Sequence, residues 1–296
     1  MITSRFKDLI RRSFNSLGYD IRKLEDKNCD LNLYRDVFPR DSIANKRFYN
    51  IGAGDFRHPF WTNIDLRSKW YKKAQGDSEF INFDLFSLKK LPIPSNSAEL
   101  VYSSHTIEHI NDEAAQNMFN ESYRILKKGG IFRVTTPNIN IEVRAYKNND
   151  RSFFYWIDTY SMPENYNRIK IRMPMNKAST QQIFLFHFAS IVSELHTDRT
   201  LPKISDKEFD KLFSTLDYEE ALNYCTSKCS IELQRKYPGN HMNWWNKKKA
   251  FRMLREAGFE KIYSSAYGQS FSPVLRNTAL FDHTGPKVSL YIEAVK

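Results

Sequence analysis

Phe48-Tyr49-Asn50-Ile51-Gly52-Ala53-Gly54-Asp55 is the stretch whose reading decides the fold. A short run of aromatic and β-branched residues breaks into Gly-x-Gly, which predicts a buried strand ending in a turn where backbone approaches a ligand closely. Asn63-Ile64-Asp65 follows as a second strand with a carboxylate at its carboxyl end, where doubly wound folds bind ribose hydroxyls. Phe80 to Asn82 reads as a third strand with Asp84 just behind it, and Glu99 to Ser104 as a fourth that runs into the polar tip at His105. Every special residue therefore stands at a strand's carboxyl end, where open α/β sheets place their ligands. The loop after Gly54 lacks a third glycine, and little chain separates it from the next strand, so the first crossover helix should be very short or absent. A phosphate resting on a helix amino terminus is not expected there, which counts against a dinucleotide. Asn50 stands where many cofactor folds carry an acid.

Outward from this core, Asp112 is a good helix cap, and Met118, Phe119, Tyr123, Ile125 and Leu126 give an amphipathic helix closed by Lys127-Lys128-Gly129-Gly130. Ile131 to Thr135 reads as a strand ended by Pro137. With Asn50-Ile51-Gly52-Ala53-Gly54 and Asn63-Ile64-Asp65, the runs Leu100 to His105, Ile107-Glu108-His109, Arg124 to Gly130 and Thr135-Thr136-Pro137-Asn138 resemble the class I S-adenosylmethionine-dependent methyltransferases. More narrowly, they resemble the type 11 branch found in bacterial surface-polysaccharide gene clusters. Phe251, Leu254, Arg255, Ala257, Gly258 and Phe259 resemble that family's last helix, and Val288 to Val295 its final antiparallel strand.

The resemblance implies an α/β, Rossmann-like fold with a mixed seven-stranded sheet, its last strand antiparallel, and S-adenosylmethionine as cofactor. Asn50, Gly52, Ala53 and Gly54 would then face the methionine part, Asp65 with Leu66 the ribose, Asp84 and Leu85 the adenine, and Ser103, Ser104 and His105 the methyl-transfer end. Residues 41–138 would form the cofactor core, 139–244 a mainly helical insertion or lid on the acceptor side, and 245–296 the return to the core. Residues 1–40 would be a basic amphipathic helix and a connector.

The insertion is too long for an ordinary connection. Phe153-Phe154-Tyr155-Trp156, Tyr160, Tyr166 and Trp244-Trp245 suit sugar stacking or a core equally well. Gln181 to Leu195, Asp206 to Thr215 and Tyr218 to Ser227 read as helices, with His187 a packing residue beside the first one's apolar stripe. Pro238-Gly239-Asn240-His241 is a turn expected to return to the mouth of the crevice. His241 and His105 are therefore the expected catalytic bases, histidine having the appropriate pKa for a sugar hydroxyl. Glu108 and His109 read first as a capping network that shapes the loop.

The whole chain bounds these readings. Its 296 residues are 41% hydrophobic and 15% aromatic, enough for a real core and against disorder. The net charge of +11 permits an anionic partner without choosing one. The basic residues are scattered rather than gathered on one stripe, so nucleic acid is not the expected partner, RNA methylation remaining an alternative. Three cysteines, Cys29, Cys225 and Cys229, imply no disulfide framework, and with only His241 nearby no metal site is expected. No run is long and apolar enough to span a bilayer, and no secretory signal is visible, so a cytoplasmic protein is expected. Ile2, Phe6, Leu9, Ile10, Phe14 and Leu17 form the apolar stripe of a helix over 2–17 that Gly18 stops. That stripe would pack on the domain or on a second subunit, or lie peripherally on an anionic inner membrane. The resulting expectation is O-methylation of a surface-glycan sugar, the acceptor being a glycan, nucleotide-sugar or lipid-linked sugar. A methyltransferase-like scaffold without activity is the alternative kept open by the unusual glycine loop.

Overall fold

The computed structural model describes residues 4–17, 27–77, 79–163, 165 and 169–296. Ile2, Gly18 and Tyr166 lie outside the described residues. The strands are β1 (Phe48–Ile51), β2 (Trp61–Asp65), β3 (Ile81–Asn82), β4 (Ala98–Ser104), β5 (Leu126–Pro137), β6 (Lys261–Ser264) and β7 (Ser289–Val295). They form one sheet in the order β3-β2-β1-β4-β5-β7-β6. All neighbours are parallel except at β7, which runs antiparallel to β5 and β6. The strand order reverses between β1 and β4, and this switch point opens a crevice at the carboxyl ends.

All four residues of β1 are buried, as a strand covered on both faces requires. Successive side chains go to opposite layers. Tyr49 and Ile51 join the larger core with Phe119, Phe132, Trp245 and Leu254 beneath the helices Asp112–Ile125 and Lys247–Glu256. Phe48 enters the second layer with Trp61, Tyr102, Phe281 and Tyr34.

Tyr34 changes the expected domain plan. Between Ile51 and Trp61 the chain makes only turns, confirming that the first crossover helix is missing, and parallel neighbours normally need one to cover their face. The helix Lys27–Val37 takes that place: Tyr34 is wholly buried, receives the Trp61 indole N–H and meets Phe48 edge-on at 5.1 Å. This part of the connector thus belongs to the core. The helix Ser4–Ser16, in contrast, exposes Leu9 and Phe14, and Leu17 beyond its end is exposed too, so these three do not pack on the domain.

Three local expectations shift. The cap before Asp112 is Asn111, whose side chain accepts the Ala114 N–H at 3.0 Å, because its extended backbone lets the side chain turn back on the first turn. Lys127 to Gly130 lies within β5, not at the helix end, since Leu126 is already extended and pairs with Ala98. The helix begun near Gln181 is Thr180–Phe188 and stops at Ala189, whose φ of −144° leaves the helical region, followed by a single 3₁₀ turn over Ser190–Val192.

The segment after β5 builds its own core from Phe154, Phe184, Phe188, Leu195, Phe209 and Trp244. Its aromatic residues are therefore mostly packing: Phe154 and Trp244 are buried, and Trp156 stacks on His187 at 4.3 Å. The helices Ile139–Lys147, Thr180–Phe188, Asp206–Thr215, Tyr218–Ser227 and Ile231–Lys236 make it mainly helical. On the far side of β5, wholly buried Arg133 donates to Asp282 and Glu293 and to the carbonyls of Ala266 and Gln269. A buried guanidinium is tolerated only when its donors are satisfied in this way. The cluster fixes the connection before β7, which carries His283 and Thr284 to the crevice.

Candidate functional site

The crevice is a cavity of about 640 Å³ at the carboxyl ends of β1, β2, β3 and β4. Of the predicted cofactor residues, Asn50, Gly52, Ala53, Gly54, Asp65, Leu66, Asp84, Leu85, Ser104 and His105 all line it. Ser103 does not. It is fully buried and donates to the Ile51 carbonyl at 2.8 Å, tying β4 to β1, because in a strand it points away from the face that Ser104 presents.

The two glycines of the turn have different reasons. Gly52 has φ +72°, and a Cβ there would fall 2.1 Å from Thr106 Oγ1, so this glycine lets the segment after β4 close onto β1. Gly54 has φ +53° and a Cβ would meet nothing within 4 Å; it faces the open cavity. Its N–H donates to Asp65 Oδ2 at 2.8 Å, while Leu66 N–H donates to Oδ1 at 2.7 Å. Burial raises the Asp65 carboxyl above its ordinary value, against these N–H groups and Gln75, which favour the charge. Asn50 is buried, and its Oδ1 has no partner. A buried amide oxygen facing a cavity is costly unless something bound there satisfies it. Asp84 accepts the Phe86 N–H at 2.9 Å and, through Oδ2, meets Arg235 from the insertion at 2.8 Å.

These features fit S-adenosylmethionine. An unpaired amide oxygen and a glycine-walled opening suit the amino-acid end, and the carboxylates at the ends of β2 and β3 suit the ribose and the nucleoside beyond it.

At the other end of the crevice stands His105, with φ +51°, an uncommon conformation for a residue bearing a side chain. Its Nε2 pairs with Ser289 Oγ at 2.7 Å and its Nδ1 lies 3.1 Å from Glu108 Oε1. Glu108 is buried, and Thr136 donates to its Oε2 at 3.1 Å. Burial pushes the Glu108 carboxyl up, but His105 above all, with His109 and His241, outweighs it and holds the group at about 2. Glu108 and His109 do shape the loop: Met242 N–H donates to the Glu108 carbonyl at 2.9 Å, and His109 Nδ1 bonds the Asn240 carbonyl at 2.9 Å.

His241 stands elsewhere than expected. The turn Pro238 to His241 does return to the crevice, where Pro238 lines the wall, accepts the Tyr71 hydroxyl at 3.0 Å and precedes a glycine packed on Trp70. His241 itself points behind that wall, edge-on to His109 at 4.7 Å, with Nδ1 on the His187 carbonyl. Burial, with His109 alongside, holds it well below the ordinary histidine value. It lines a second, small cavity of about 10 Å³ rather than the crevice. His187 pairs with buried Glu142 at 2.7 Å, a satisfied histidine as its position suggested.

The crevice also recruits Tyr71, Thr106, His283, Thr284 and Arg235, to which the sequence reading gave no role, and His109, which it read as part of a capping network. Thr106 and His109 lie inside a quoted motif and were reachable by asking what faces Gly52; Arg235 and His283 carry no local signal, because distant segments bring them in.

Residues 54–134 match the family model described as a methyltransferase domain. Over this stretch the chain is similar to methyltransferase domains, and its sheet order is that of a Rossmann-like α/β fold. A probable S-adenosylmethionine-dependent methyltransferase of Mycolicibacterium smegmatis is 40% identical over 52 residues, 18% of this chain and 20% of that protein. The chain thus spans about a fifth of the length of this curated relative. Among solved structures, a possible histamine N-methyltransferase from Thermotoga maritima aligns over 99% of this chain and 97% of its own at 13% identity, with a TM-score of 0.39. A methyltransferase from Mesorhizobium loti aligns over 90% and 96% at 15% identity, TM-score 0.36. No helix among the described residues is long and apolar enough to cross a membrane.

Proposed function

We propose that the chain is an S-adenosylmethionine-dependent O-methyltransferase acting on a sugar of a bacterial surface glycan, presented as a nucleotide-linked or lipid-linked acceptor. The observation that carries the enzymatic reading is the crevice itself, where Asn50, Gly54, Asp65 and Asp84 converge at the switch point of a sheet whose core matches a methyltransferase domain. Bound there, S-adenosylmethionine supplies a sulfonium-activated methyl group. The protein's share is to hold the acceptor in line and to exclude water. His105 is placed to receive the acceptor's proton at Nε2, the nitrogen now on Ser289 Oγ, while Glu108 beside Nδ1 steadies the imidazolium that forms. With His241 behind the wall, the base role falls to His105.

The sugar reading is supported by the hydroxyl-directed base and the polar acceptor end, where His283 and Thr284 can hydrogen-bond a polyhydroxylated ring. The exposed Leu9 and Phe14 on a helix that also bears Arg11 and Arg12 support a peripheral contact with an anionic membrane, where a lipid-linked acceptor would lie.

Calorimetric titration with S-adenosylmethionine and S-adenosylhomocysteine, on the wild type and on Asp65→Asn, tests the cofactor site. Micromolar binding is expected, weakened by about 10- to 100-fold in the variant as charged hydrogen bonds are lost. No binding to the folded wild type would overturn the enzymatic reading and leave a scaffold.

A further inference from the structure

The wall between the two cavities gathers Glu108, which backs His105, with two further histidines, His109 and His241, that take no proton in methyl transfer. Glu108 and His109 come from the 3₁₀ turn Ile107–His109, and His241 from the turn before the helix Lys247–Glu256. One possible ligand atom from each lies within 4.8 Å of the other two. The backbone bond from Met242 N–H to the Glu108 carbonyl clamps the two turns together, so the approach is built into the fold.

The hydrogen bonding commits one nitrogen of each imidazole to a carbonyl. His109 commits Nδ1 to the Asn240 carbonyl, and His241 commits Nδ1 to the His187 carbonyl. A carbonyl only accepts, so each neutral ring carries its proton on Nδ1 and keeps Nε2 as a bare acceptor. A metal-binding histidine characteristically donates its second nitrogen to a carbonyl in this way. The third member, Glu108, is also an acceptor, and its Oε1 makes no aligned hydrogen bond despite the nearby His105. Three acceptors gathered around a buried carboxylate repel one another unless a cation sits among them.

The small cavity adds a second observation. Glu108 and His241 line it, and so do Glu142 and Trp245, each of which has a buried polar atom without a partner, Oε1 and Nε1. At about 10 Å³ it has the room of roughly one water molecule.

We propose that Glu108, His109 and His241 bind one divalent transition-metal ion behind the crevice wall. Two imidazoles and one carboxylate favour zinc, cobalt, manganese or iron(II) over calcium or magnesium, which prefer all-oxygen sites. The expectation of no metal site, drawn from Cys225 and Cys229, is thereby revised for a different set of residues. Both cysteines are buried and free, and neither belongs to this cluster.

The test uses the full chain, purified without metal affinity, stripped with chelator and dialysed. Titration with Co²⁺ followed by visible absorption, and with Zn²⁺ by calorimetry, should each give one site per chain. Glu108→Gln and His241→Asn should each weaken binding by more than about tenfold, with folding checked by circular dichroism. If a variant fails to fold, nitrogen NMR of the wild-type imidazoles decides: one equivalent of Zn²⁺ should shift the Nε2 signals of two of the seven histidines. Absence of stoichiometric binding, unchanged affinity in folded variants, or shifts at other histidines would overturn the site. Since these readouts need neither cofactor nor acceptor, the metal site and the methyltransferase reading can fail separately.

Discussion

The turn Ile107–His109 separates two cavities that solve opposite problems. On one side the crevice is large, open and lined by backbone turns and single polar atoms that wait for a ligand, such as Asn50 Oδ1 and the space before Gly54. On the other, a space for about one water is lined by Glu108, Glu142, His187 and His241. The crevice is shaped by strand ends; the small cavity is shaped by side chains from the end of β5, two helices of the insertion and the turns that carry Glu108 and His241. Both contain histidine beside a buried carboxylate, yet His105, unlike His187 and His241, lines an opening wide enough for an acceptor. Burial therefore decides which histidine can meet substrate.

The largest expected effect tests that division. His105→Asn should lower kcat by about 10²- to 10⁴-fold, the usual contribution of a positioned base, while affinity for S-adenosylhomocysteine stays within a few-fold of wild type. Initial-rate kinetics and calorimetry check the two quantities. If cofactor affinity falls in step with kcat, His105 is a structural prop for the segment after β4, and the contrast between the two histidines collapses.

The Gly-x-Gly turn sharpens the comparison at the next level. Gly52→Ala forces a methyl group onto Thr106 at positive φ, so a stability loss of about 1–3 kcal/mol is expected in urea unfolding. Gly54→Ala meets no protein atom and should cost about 1–2 kcal/mol from its left-handed backbone alone. Its methyl projects toward the cavity, so cofactor affinity should fall more in this variant than in Gly52→Ala. Equal losses of affinity would mean that the cofactor does not lie against Gly54.

These two glycines show how far the sequence carries the fold and site. Strands β1, β2 and β4 were legible because a parallel strand is a compact apolar run and its ligand residues follow within a few positions. The sheet order came with the resemblance that those runs carry. His241 shows the other side: its turn was recognisable, but whether its ring faces the crevice or the small cavity depends on the His187 carbonyl and on Glu108, far away in the chain. Tyr34 is similar, since nothing within Lys27–Val37 tells that the crossover after β1 leaves a face to be covered. Local pattern specifies elements; the orientation of a side chain between elements is set by partners from elsewhere.

The side of the small cavity predicts a pH effect of its own. His196 is buried and accepts the Asp198 N–H at Nδ1 (3.1 Å), while Nε2 meets the Asn240 side chain at 3.1 Å. Burial, followed by nearby Lys203, pulls it down from 6.5 to about 4. The unfolded chain therefore takes up this proton first as pH falls. The favourable contribution of neutral His196 is complete above about pH 6.5 and is lost progressively down to about 4. Urea midpoints across that window should fall less steeply in His196→Gln. Because Asn240 also receives His109, the turn that lines the small cavity should loosen with acid before the crevice strands do, which hydrogen exchange at Asn240 and at Gly54 can compare.

The smallest expected effect lies at the crevice rim. Arg235 reaches from the insertion to Asp84, and its guanidinium is more than half exposed. An exposed ion pair of this kind contributes at most about 1 kcal/mol, so Arg235→Ala should leave the unfolding midpoint almost unchanged. Asp84 is still held by the Phe86 N–H, so its position survives the loss. What changes is the link between insertion and core: a cofactor leaving past Asp84 would no longer have to part this contact. Faster release of S-adenosylhomocysteine, by at most about fivefold in stopped-flow, is the expected sign. An unchanged release rate with unchanged stability would show that the insertion closes the crevice through Tyr71 and Pro238 instead, where the contact is a hydrogen bond from the core to the insertion's backbone.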